Sequence, residues 1–425
     1  MTRKYGLHKC LQFGLAGLLG WLIVSILTAK TQAQQSNIVP DNTLASESSQ
    51  VIGNFQGHSN LGQGNAGNII IDARENVLFD GANAYSGIGN EAVGNAGNIS
   101  IKAGLVSLSN NTYMSASTSG RGNAGIININ ARDSVSFDQK SYAYSLTTTE
   151  GIGKSGNVNI NARSLSVKNG SQLSASTFGR GDAGNVSINA SDTVHFDGAD
   201  SVAFSISGSG AVGKAGGINI TTGSIFVTNN ARILAITSGR GDAGNVNINA
   251  SDIAFFDMGS QAFALVDARG VGKAGTININ TRKLSVNNGS QLSASSFGQG
   301  DAGNVTINAS DTVHFDGANS AAFSISGAGT VAKAGGINIT TGLLSVTNGA
   351  FLTTSILGQG DAGNVSIDAR DTVVFDGIGS NGLNSAAPTP FKGAVEMSKL
   401  TRKVSSVSKR VQSQLKKAIL LPVPN

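Results

Sequence analysis

The sequence predicts an all-β solenoid, and three observations carry that prediction. A unit of about 30 residues recurs along the chain, apolar and polar residues alternate inside each unit, and Gly, Asn-Gly or Asp-Gly closes each alternating segment. Composition agrees. The 425 residues include 57 Gly but only 5 Pro, and 13% are charged, about half the usual share. A hydrophobic content of 40% is enough to build a core and unlike that of a disordered chain.

The repeat is marked by the glycine of GDAGNV and its variants. It falls at Gly67, Gly97, Gly125, Gly156, Gly184, Gly216, Gly244, Gly275, Gly303, Gly335 and Gly363. Spacings alternate between 28 and 30 to 32 residues, so the units are of two types. Gly181–Gly210 and Gly300–Gly329 match at 26 of 30 positions, which points to internal duplication.

Each unit contains three short alternating segments, such as GNVNINA, SLSVKNGS and QLSASTFG from Gly156 onward. Val158, Ile160, Leu165, Val167, Leu173 and Ala175 are expected on one face, and Asn159, Ser166 and Ser174 on the other. Three strands per unit, stacked at about 4.8 Å, give a solenoid of about eleven coils. A β-propeller fits less well, because its repeats are longer and four-stranded.

The ends differ from the repeats. Residues 1–33 read as a signal peptide: Arg3, Lys4 and Lys9, an apolar run from Leu11 to Leu27, then Thr31 and Ala33 at a cleavage site. An uncleaved anchor is the alternative, but no stop-transfer charges follow. Cys10, the only cysteine, precedes that cleavage site, so the mature chain is expected to lack disulfides. Residues 34–63 lead into the repeats of 64–384. In the tail, 385–425, Leu400, Val404, Val407, Val411, Leu415 and Ile419 form a helical stripe flanked by Lys and Arg. A short basic helix is expected there, as a cap on the rod, a membrane-surface helix or a rearranged end. The first 33 residues carry +4 of the net +5 and the tail +7, so the rest is −6 and does not resemble a nucleic-acid surface.

Two residues before each marker glycine lies a charge ladder: Lys154, Asp182, Lys214, Asp242, Lys273, Asp301, Lys333 and Asp361. Alternation is expected to place opposite charges in adjacent coils and to fix register. A turn column alternates Asp80, Asp138, Asp197, Asp257, Asp316 and Asp376 with Asn110, Asn169, Asn229, Asn288 and Asn348. A third column, from Asn68 and Asn98 to Asn364, is expected to stack its amides.

Arg180-Gly181-Asp182 and Arg240-Gly241-Asp242 spell a receptor-binding tripeptide and are the candidate ligand-binding residues. Their competing reading is structural, since each Asp belongs to the ladder. Catalytic, cofactor and metal sites are not expected. Carboxylates fall on repeated positions, His195 and His314 occupy equivalent positions two double-units apart, and no phosphate-loop or calcium-repeat motif occurs. No small-molecule substrate is implied.

The AGN[IV]xI repeats, the FDG turns and the segment QSNIVPDNTLASESSQV resemble filamentous-haemagglutinin-like exoproteins of cyanobacteria. The resemblance covers Gln35 to about Ile52 and Gly64 to about Ser380, and it implies that 34–63 is a remnant of the secretion-domain start and a linker. It implies a right-handed parallel β-helix, passage through a two-partner-secretion outer-membrane pore, and attachment at the cell surface to glycans or other cells. The chain departs from that family in lacking any Asn-Pro and in entering its repeats directly, without a secretion domain of NPNG type. Secreted or outer-membrane placement is therefore joined by periplasmic retention. The functional alternatives are a solenoid polysaccharide lyase or glycosidase and a non-functional truncated paralogue.

Overall fold

The computed structural model describes residues 61–327 and 331–376, together with the strands Asn42–Ser46, Gln50–Ile52, Phe55–Gln56 and Asn384–Ala386. The signal peptide and the tail helix, both expected from the sequence, lie outside the described residues. The described chain is a parallel β-solenoid of about ten turns, counted between the eleven strands that open at Ile69 and after each later marker glycine. Every strand pairing is parallel and joins a coil to its neighbours (for example Val158↔Ile127 and Val158↔Val186).

Two sheets run the length of the rod, one of fourteen strands and one of twelve. The first holds long strands such as Val158–Lys168 and Val186–Asp197; the second holds short ones such as Gln172–Ser174 and Val202–Ser207. The sequence pattern divides each coil into three strands. The structure merges the first two into one strand that turns a corner at a register irregularity, between Ala162 and Ser164 in one coil. Side-chain alternation slips at that bulge, which is why the sequence reads as two segments.

The same register explains the alternating spacing. The coil opening at Gly184 is 32 residues long and the one at Gly156 is 28. At the corner, Ser191 and Asp192 oppose Arg163 alone. The next turn spans five positions from Asp197 to Val202 against four from Lys168 to Gln172. The last spans five from Ser207 to Val212 against three from Thr177 to Arg180. One, one and two extra residues account for the difference, and all are absorbed at corners, leaving the ladders in register.

The core is the inner face of both sheets. Val158, Ile160, Leu165, Val167, Leu173 and Ala175 all lie in it, as their alternation predicts. In one column Phe137, Phe196 and Phe256 alternate with Val167 and Val227, so a large ring in one coil sits over a smaller side chain in the next. The marker glycines have no room for a side chain: a Cβ on Gly184 would lie 2.0 Å from the Gly156 carbonyl oxygen. Asn159 and Ser166 face outward and are half-buried. Ser174 also points away from the core, yet it is buried.

Candidate functional site

Asp182 links three coils. One carboxylate oxygen accepts the backbone N–H of Lys214 at 3.1 Å, and the other lies 3.6 Å from the Lys154 ammonium. Asp242 repeats the arrangement, with the Lys273 N–H at 3.0 Å and the Lys214 ammonium at 3.2 Å. The Lys273 N–H first, then the Lys214 side chain, hold the Asp242 carboxyl below its ordinary pKa. In the earlier coils Asn plays the same acceptor role: Asn95 and Asn123 donate their N–H groups to the side-chain oxygens of Asn65 and Asn95, each at 2.8 Å. This position therefore requires a short side-chain acceptor, and charge alternation is added to that requirement.

The two Arg-Gly-Asp stretches lie in this boundary run. Gly181 and Gly241 have φ of 139° and 149°, a region that side chains rarely adopt. Arg180 is exposed and bridges by backbone to Ile152 below and Val212 above; Arg240 does so with Val212 and Val271. The tripeptide is thus part of a stacked backbone, with both carboxylates engaged across coils.

In the turn column, each described Asn donates its amide to the Asp of the coil before it. Asn169 reaches Asp138, Asn229 reaches Asp197, Asn288 reaches Asp257 and Asn348 reaches Asp316, all at 2.7 Å. These Asn residues also hold φ of 49° to 57°, the left-handed region that Asn tolerates best after Gly. Burial alone would raise the Asp197 pKa, but hydrogen bonds from Thr228 and Asn229 outweigh it and lower it.

The column after the marker glycine differs from the expected amide stack. Asn185 Oδ1 accepts the backbone N–H of Gly217 at 2.7 Å, and Asn245 Oδ1 that of Thr276 at 2.9 Å. The residues that interrupt the column need only a backbone donor. Amide-to-amide ladders do occur, on the outward strand positions: Asn159 to Asn128, Asn161 to Asn130 and Asn189 to Asn161, at 2.8 to 3.0 Å.

The corner of the long strands forms a lengthwise groove of about 960 Å³, spanning Asp72 to Thr221. A column of alanines, including Ala103, Ala131 and Ala162, together with the Asn ladder, lines its floor. Arg74, Lys102, Arg132 and Arg163 also line it, against Asp72 as the one lining acid. Lys102 lies 3.3 Å from Asp72, and Arg163 lies 3.6 Å from Asp192. Further along, the same corner is closed by ion pairs. Arg282 bonds both Asp252 and, at 2.8 Å, Asp311, and hydrogen bonds from Arg282 hold the Asp311 carboxyl below its usual range. The groove cations escape a motif search because they come from separate coils. The sequence signal of the three arginines is an Ala-Arg pair at the end of the first segment, Ala73-Arg74, Ala131-Arg132 and Ala162-Arg163, whereas Lys102 precedes its alanine.

Among the described residues, no three potential metal ligands come together and no helix is long and apolar enough to cross a membrane. Fold and groove define a parallel β-solenoid with a cationic channel along one corner. Compared with protein-family models, curated proteins and solved structures, the chain matches none of them.

Proposed function

We propose that this chain is a non-catalytic structural and adhesive rod of the filamentous-haemagglutinin type, wound right-handed and displayed at the cell surface after export through an outer-membrane pore. Its contact surface is the corner groove, and its ligand is an extended acidic glycan. The observation that carries this reading is one cation from each of four successive coils, Arg74, Lys102, Arg132 and Arg163, lining a single groove, two of them (Lys102 and Arg163) in exposed ion pairs with Asp72 and Asp192. Cations repeated at about the 4.8 Å coil spacing suit a polymer with charge distributed along its length. The carboxylates of the ladder and turn columns are held by cross-coil hydrogen bonds, an arrangement suited to holding coils together.

The test is binding of the chain to immobilised acidic and neutral polysaccharides. Acidic chains should bind, weakening as salt rises because the contacts are exposed. Replacing Arg74 and Arg132 together with Gln should weaken binding about tenfold, the equivalent of about 1.4 kcal/mol. Equal binding by the variant, or preference for neutral chains, contradicts the groove assignment. Cleavage of a polysaccharide would favour the carbohydrate-active enzyme instead.

A further inference from the structure

Much of the outer face of the second sheet is apolar, and it is buried. In the strand Val202–Ser207 the sequence VAFSIS places Ala203 in the core and its neighbours outward. Phe204, Ile206, Phe263, Leu265, Phe323 and Ile325 all point away from the core by this alternation. They lie outside the core cluster, yet their exposure is between 0% and 5%. Outward Phe226 and Phe255 on the first sheet are only half-buried. Contacts such as Phe263 to Phe323 at 6.4 Å join rings two coils apart within this face.

We propose that the C-terminal segment of this chain, through the stripe Leu400, Val404, Val407, Val411, Leu415 and Ile419, lies lengthwise on this face. Three observations select that occupant. The strand Asn384–Ala386 pairs with Phe351–Ile356, so the last described strand before the tail belongs to the second sheet itself. As a helix, the 20 residues from Leu400 to Ile419 span about 30 Å. From Tyr144 to Ile325 this face crosses seven strands, about 29 Å at ~4.8 Å per step, its apolar rows interrupted by the serine pairs Ser174/Ser176 and Ser293/Ser295. The tail carries +7 and the repeats are acidic, with Glu150 and Asp200 exposed beside this sheet. This inference is independent of glycan binding, since the groove lies on the other sheet.

The test uses the full chain with a photo-crosslinking residue in place of Ile206. The expected product is an intramolecular link to the stripe within 400–419. As a second measurement, the double variant Val407→Asp/Val411→Asp should bind a hydrophobic dye several-fold more than the parent while keeping its β circular dichroism. A link to a second copy, with dimers in sedimentation, would overturn the proposal in favour of self-association. Unchanged dye binding in the double variant would overturn it as well.

Discussion

Asp182 accepts a hydrogen bond from the backbone N–H of Lys214, 3.1 Å away in the next coil. Lysine alternation is the conspicuous feature of this column, but the contact depends on the Asp oxygen and the main chain. The first prediction separates the two contributions. Asp242→Asn keeps an acceptor for the Lys273 N–H and loses only a charge, so stability should change by about 0.5 kcal/mol or less. Asp242→Ala leaves that N–H without its acceptor and should cost about 1–2 kcal/mol. Hydrogen exchange at the Lys273 amide reads the local effect: protection should fall in the Ala variant and be retained in the Asn variant.

Acid should loosen the rod. Asp197, Asp242, Asp311 and Asp316 have carboxyl pKa values below the ordinary one. A lowered folded-state pKa means stability that is fully present above the unfolded value, about 4, and is lost as pH falls through the folded value. The thermal midpoint should therefore hold from pH 7 to 5 on this account and drop below about pH 4. Thr228→Val should raise the Asp197 pKa measured by NMR titration, because it removes one of the hydrogen bonds that lower it.

Glycine positions should divide into two classes. Gly184→Ala places a Cβ 2.0 Å from a backbone oxygen of the preceding coil, and that oxygen is fixed by the stack. It should cost more than about 3 kcal/mol, the range of severe core defects. Gly210→Ala meets no atom within 4 Å and only the strain of φ 82°, so it should cost about 1–2 kcal/mol. Urea denaturation of the two variants checks the ranking.

The turn asparagines should tolerate Gly better than Ala. Both Asn169→Gly and Asn169→Ala lose the amide to Asp138, but only Gly keeps easy access to φ 51°. The Ala variant should be less stable than the Gly variant by about 1 kcal/mol, measured in the same denaturant series.

Much of this architecture was legible in the sequence, because a repeat exposes each position many times. Val158 and Ile160 point inward as their alternation requires, and the Lys154–Asp182 contact falls where the ladder predicts. The merging of two segments into Val158–Lys168 was hidden by the bulge after Ala162, which resets the alternation. The Asn185 contact was misread for a different reason: its partner is the backbone of Gly217, and a main-chain donor has no letter in the sequence. The groove was missed because Arg74 and Arg163 come together only when coils stack. The apolar outer face around Phe204 was masked by Ser174 in the adjacent coil, which reads as an ordinary water-facing residue.

Antibody labelling of intact cells tests the proposed cell-surface placement most directly. Labelling before permeabilisation, abolished by external protease, is the predicted result. Signal that appears only after the outer membrane is opened would contradict it and place the protein in the periplasm.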